Sequence, residues 1–237
     1  MSYDGLRQAA LEWDAIQQTR LKINNMLKAF DRLKRPYPDL IAPWLEQLAS
    51  LETQRLKFVR AQAEDGEPWL HEVVAYIDAT RGLGPAVLCV LGLIPPLPQF
   101  PNPAKLWAYL GLAVSDGAAV RVPLPPPPNN PRGPKGHHFS RRIRAYATVR
   151  IVEPIIRDMQ SPLRAVYDGR RLHTASTHPE WGEERNKAGE LVPNMHYHRD
   201  AIRYTAKRIW RDVWRVAVGD QLGRGTHTPI VAEVLPL

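Results

Sequence analysis

The 237-residue sequence predicts a mainly α-helical protein: a helical hairpin or coiled coil, then a helix-hairpin-helix domain with a basic C-terminal helix. Three observations carry that prediction. Residues 5–33 hold no proline and place Leu6, Ala9, Trp13, Ile16, Ile23, Leu27 and Phe30 on alternating steps of three and four. A Gly82-Leu83-Gly84-Pro85 turn sits between two apolar, helix-length stretches. Residues 197–218 carry a cationic stripe opposite an apolar one. A three-and-four spacing puts side chains on one helix face, which an amphipathic helix buries against a neighbour.

In chain order, the seam of 5–33 is narrow, broken only by Arg20, and suits a hairpin or coiled coil. Arg35-Pro36-Tyr37-Pro38 ends it. A second helix is expected over 42–63, with Pro43 in its first turn and Trp44, Leu48, Leu51 and Phe58 facing inward. Glu64-Asp65-Gly66 closes it, and a third helix over 69–79 leads into the turn. The two glycines permit positive φ and close backbone approach, and Pro85 suits a first helical turn. Helices are expected at 85–93 and 103–110, the latter stopping at Gly111. The segment 115–122 reads as a short hairpin or strand pair. Residues 122–136 contain seven prolines and favour polyproline II. A helix kinked at Pro154 is expected over 138–159, with Ser140 at or near its cap, and a long polar loop over 167–193. The domain boundaries that follow are 1–66 (hairpin), 67–122 (helix-hairpin-helix core), 123–137 (proline-rich linker) and 138–237 (basic helical region).

Charge is distributed unevenly. Residues 1–79 carry 10 Lys/Arg against 12 Asp/Glu, whereas 80–237 carry 22 against 12, which together make the net +8. The basic portion begins at the turn and favours a polyanionic partner. Within it, Arg199, Arg203, Lys207, Arg211 and Arg215 recur every four residues, opposite Ile202, Ala206, Ile209, Val213 and Val216, with Trp210 and Trp214 on the basic side of the border. Arg141, Arg142 and Arg144 open the helix before Pro154. Together with Gly82 and Gly84, whose turn amides suit a phosphate, Arg141, Arg142, Arg144, Arg199, Arg203, Lys207 and Arg211 form the candidate nucleic-acid-binding set. DNA is the expected partner; Tyr197 and Tyr204, interleaved with basic residues, keep RNA and single strands open.

Other chemistry finds less support. The lone Cys89 lies in an apolar helix and cannot form a disulfide within the chain. With no signal peptide and no apolar run long enough to span a bilayer, a cytoplasmic protein without a membrane partner is expected. Of eight histidines, only His137-His138 and His196-x-His198 are close pairs, and neither has metal-ligand helical spacing, so no metal and no cofactor is expected. Glu180, Glu183 and Glu184 cluster near Trp181, where loop solubility explains them as well as acid–base work does.

The motifs TRGLGPAVLCVLGLI, FPNPAKLWAYLGL, HFSRRIRAYA and HRDAIRYTAKRIWRDVW, in that order over 75–217, resemble the C-terminal part of the DEDD-type insertion-sequence transposases, the bridge-RNA-guided recombinases. In that family a G-hydrophobic-G-P run opens the helix-hairpin-helix, and a coiled coil like 5–63 precedes it. Full-length members begin with a RuvC-like domain whose acidic tetrad binds metal, for which this sequence has no counterpart. The family's domain also supplies a nucleophilic serine in a Ser-Gly pair. Here Ser115 is the nearest counterpart and hence the candidate catalytic residue, although it comes early and is followed by Asp116 and not by glycine.

The resemblance therefore implies a DNA-binding protein that holds phosphates more than it cuts them. One alternative is a serine-dependent transposase or recombinase subunit working with a separate RuvC-like subunit. Another is an assembly protein that forms homo-oligomers through its N-terminal helices and makes protein contacts through a Trp210/Trp214 face.

Overall fold

The computed structural model describes residues 3–34, 41–115, 118–119, 141–182, 184–185, 191–192 and 195–219. It is mainly α-helical. The chain forms two compact units that alternate along the sequence: residues 1–74 with 85–96, and residues 75–84 with 97–237. The divisions thus fall at Val74/Ala75, at Gly84/Pro85 within the GLGP turn and at Pro96/Leu97, and the expected boundary at 66/67 lies inside the first unit.

In the first unit, α1 (Tyr3–Arg32) and α2 (Ile41–Glu64) run antiparallel. Glu12 pairs with Arg55 at 2.9 Å, and Gln17 and Arg20 both reach Glu52, at 2.6 and 2.8 Å. The buried carboxylate of Glu52 thus has two donors, which is how a charge sits at a helix seam without a prohibitive desolvation cost. Its inward position sets the register of α2 and corrects the expectation for that helix. Trp44, Leu51 and Phe58 face solvent, Trp44 at 55% exposure, while Ile41, Val59 and Ala63 are buried. Helix α2 is apolar on two faces, so spacing alone offers two stripes; Glu52, satisfied by α1, selects the other one.

The short α4 (Ala86–Gly92) lies against α1. Gly92 makes that approach close enough that a Cβ there would stand 2.5 Å from the Ala10 Cβ and 2.8 Å from the Leu6 carbonyl. The Tyr3 hydroxyl reaches the carbonyls of Leu91, in the last turn of α4, and of Ile94, just beyond it. Cys89 is buried in this helix. Helix α3 (Pro68–Ala79) supplies Trp69, Leu70, Val73 and Val74 to this unit's core.

In the second unit, α9 (Met195–Val218) is the central element. Around it lie a 3-10 turn (Leu97–Gln99), α5 (Pro103–Tyr109), α6 (Arg141–Ala145) continuing into a π-helical turn (Tyr146–Arg150), α7 (Ile151–Arg157) and α8 (Pro162–Thr177). Pro154 sits inside α7 and has no N–H to donate to the preceding turn; the π-helical turn lies just upstream of it. Two antiparallel pairings of two residues each complete the unit: β1 (Val114–Ser115) with β2 (Ala118–Ala119), and β3 (Glu184–Arg185) with β4 (Leu191–Val192).

Helix α8 corrects the expectation of a loop over 167–193. Pro162 occupies its first turn after Ser161, and Arg164 and Asp168 pair at 2.6 Å one turn apart. Its buried side chains are only Leu163, Tyr167 and Thr174. Past Tyr167 the inward positions are Arg170 and Thr174, polar residues where an apolar stripe would continue. Among the described residues, no helix is long and apolar enough to cross a membrane.

Candidate nucleic-acid interface

Helix α9 buries Ala201, Ile202, Thr205, Ala206, Ile209, Trp210, Val213, Ala217 and Val218. Trp210 is fully buried and its indole N–H donates to the Ala147 carbonyl at 2.9 Å. Trp214 is half-buried and donates to the Phe100 carbonyl at 2.9 Å. Both indoles are therefore packed within the unit, at helix positions that adjoin Arg203 and Lys207. An indole that finds an acceptor can be buried at little polar cost, and here each one ties α9 to another segment.

The flank of α9 that carries Arg203 and Lys207, next to Trp210 and Trp214, gathers cations. Asp200 accepts from Arg170 at 2.6 Å and from Thr174 at 2.8 Å. Burial pushes its pKa up, but those two hydrogen bonds outweigh it and leave the carboxyl below its usual range. One turn along, Arg203 is half-buried; among the described residues it donates to the Ala113 carbonyl at 3.4 Å, and its buried Nε meets no acceptor. Burial first, and Arg144 second, lower its pKa. Lys207 follows: burial and then Arg203 depress its pKa, its ammonium lies 5.5 Å from the Trp107 ring centroid, and its carbonyl accepts from the Trp107 indole at 3.1 Å. Among the described residues, no carboxylate comes within 4.0 Å of Arg144, Arg203 or Lys207. Three cations held close together, two of them partly desolvated, form a site of unbalanced positive charge.

The remaining expected residues are placed differently. Arg211 pairs with Asp212 at 3.0 Å and is not available in the same way. Arg199 and Arg142 are exposed. The Arg141 side chain, Ser140 and His137-His138 lie outside the described residues. Gly82 has φ +93°, and a Cβ there would stand 2.9 Å from the Ser161 Oγ and 3.3 Å from the Ile155 Cγ1. Ser161 Oγ donates to the Arg81 carbonyl at 2.7 Å, and the Arg81 side chain pairs with Asp158 at 2.7 Å. Packing against the α7–α8 link therefore accounts for glycine at 82. At Gly84 a Cβ would meet nothing within 4 Å.

Ser115 lies in β1, opposite Ala118, two residues beyond the carbonyl that Arg203 holds. Glu180 pairs with His178, which stacks on Trp181 at 4.2 Å between ring centroids. Among the described residues, no group of three or more His, Cys, Asp or Glu side chains is arranged to hold a metal ion.

Four participants were not anticipated: Arg170, which occupies Asp200; Thr174, which shares it; Trp107 under Lys207; and Tyr167, which meets His198. Three of them lie on α8. The Pro162 start and the Arg164–Asp168 spacing were the available signals for that helix.

Comparison with protein-family models, curated proteins and solved structures finds no match to this chain. A functional reading therefore stands on the chemistry of the site.

Proposed function

We propose that this protein binds nucleic acid, DNA in the first place, by its phosphates. The observation that carries the reading is the Arg144–Arg203–Lys207 cluster: Asp200 is the one described carboxylate that acts on Arg203 and Lys207, and its hydrogen bonds go to Arg170 and Thr174, so cations outnumber it. Partly buried cations without counter-ions are costly alone and gain strongly from an anionic ligand. Phosphate contacts of this kind position a duplex without reading its bases. The resemblance over 75–217 to a transposase C-terminal part supports the same partner, and Arg199 and Arg142 extend the positive surface. Electrophoretic shift of duplex, junction and single-stranded DNA, with single-stranded RNA alongside, tests it. Retention of duplex or junction is expected; no retention of any of the four would refute it.

A second reading, a serine-dependent recombinase subunit, draws on the Arg203–Ala113 hydrogen bond, which brings the β1 strand of Ser115 to the cation cluster. A phosphodiester held there would lie near that strand. With a separate RuvC-like subunit present, the unaltered protein would form a covalent DNA adduct that Ser115→Ala abolishes; absence of any adduct excludes this reading.

A further inference from the structure

We propose that Arg171, His198 and Arg199 form a seat for a phosphoryl group, in which the His198 imidazole takes up a proton as the group binds. The inference rests on the nucleic-acid reading only for the polymer to which the phosphate belongs.

The seat is assembled on Tyr167. This residue is 2% exposed, and its hydroxyl lies 2.5 Å from His198 Nδ1, with the two rings edge-on at 82° and 5.8 Å. A hydroxyl donating to Nδ1 places the neutral ring's own proton on Nε2. His198 then offers an N–H donor on the nitrogen that Tyr167 does not hold. Arg171 lies 5.7 Å from the Tyr167 ring centroid, which anchors its guanidinium to the same support. Arg164 lies at the same distance but is committed to Asp168 and to the Ile156 carbonyl. Neither Arg171 nor Arg199 meets a carboxylate within 4.0 Å among the described residues.

Charge explains the proton. Burial first, then Arg171 from α8 and Arg199 from α9, hold the His198 pKa below its ordinary 6.5, and only Glu153 on α7 acts the other way. Without a ligand the imidazole is therefore neutral at pH 7. A phosphoryl anion beside the Arg171 guanidinium and the His198 ring, within the field of Arg199, favours imidazolium, which then donates from both nitrogens, with the Tyr167 oxygen turning acceptor. Proton uptake on binding means affinity rises as pH falls between the free and bound pKa values, by at most tenfold per pH unit for one proton.

The experiment follows the His198 ring C–H signals by NMR over pH 5–8 in a buffer that does not bind the protein. It compares the protein alone, with inorganic phosphate and with a short duplex, and His198→Gln assigns the signal. The expected result is a midpoint below 6.5 that moves up with phosphate and with duplex. Duplex affinity should gain toward pH 6 in the native chain, and this gain should be absent in His198→Gln. A His198 midpoint unmoved by either ligand, or an undiminished pH dependence in His198→Gln, would overturn the proposal while leaving duplex binding intact. Movement with phosphate but no retention of any strand would instead overturn the nucleic-acid reading and keep the seat.

Discussion

Arg170 donates to Asp200 at 2.6 Å, and this pair determines the charge balance of the α9 face. Arg203, one turn further, feels the same carboxylate only at longer range and shares it with Arg170. The first prediction follows from removing the carboxylate's charge. Asp200→Asn should lower stability by about 1–2 kcal/mol, since Arg170 and Thr174 lose a charged acceptor at a site still partly open to solvent. The same change should leave duplex affinity undiminished or raise it. Urea unfolding and fluorescence anisotropy on one preparation measure both; a loss of affinity at unchanged stability would mean that Asp200 shapes the site.

The two glycines of the turn should separate in their effects. Gly82→Ala forces a side chain into positive φ and against Ser161, which should destabilise the protein by about 1–3 kcal/mol. Gly84→Ala should leave the melting temperature near native, because its Cβ enters open space. If Gly84→Ala nevertheless weakens duplex binding, a phosphate approaches that position; equal affinity would confine the phosphates to the cation cluster.

How much of this was legible in the sequence differs by element. The long helices and their ends follow from proline, glycine and amphipathic spacing, and α1, α3 and α9 lie where these place them. The face of α2 did not follow, because Trp44, Leu51 and Phe58 look more apolar than a stripe containing Glu52. Only the partners Gln17 and Arg20, distant in sequence, make the charged stripe the inward one. Helix α8 is hidden from the sequence because, beyond Leu163, its packing surface is Tyr167, Arg170 and Thr174, which are satisfied by His198 and Asp200 of α9 through hydrogen bonds. The cation stripe of α9 was visible as a repeat of four. Sequence could not tell that Asp212 takes Arg211 while Arg203 and Lys207 stay unbalanced, since that depends on which acids lie within reach.

Gly92 provides a test confined to the first unit. A methyl group there would overlap Ala10 and the Leu6 backbone, so Gly92→Ala should cost about 1–3 kcal/mol and lower the melting temperature. A variant as stable as the native chain would show that α4 does not sit on α1 in this register.

Acid should unfold the protein through particular carboxylates. Asp158 is held below its usual pKa chiefly by the hydrogen bond from Arg81, and then by the Gln160 N–H. Asp200 also ends below its usual value. A carboxyl whose folded pKa is depressed adds stability that is fully present above its unfolded pKa, near 3.8, and is lost as pH falls through the folded one. Melting temperatures should therefore change little from these groups between pH 7 and about 4.5 and fall below about 4. Asp200→Asn should show a smaller fall; an identical profile would mean that Asp200 has no depressed pKa.

The most direct test of the account is the salt dependence of duplex binding. With about five phosphate contacts, the logarithm of affinity should fall against the logarithm of salt with a slope of roughly −4 to −5. Lys207→Ala should make that slope shallower by about one. Affinity that stays flat from low to moderate salt, or a slope that Lys207→Ala leaves unchanged, would contradict the assignment of this face to phosphates.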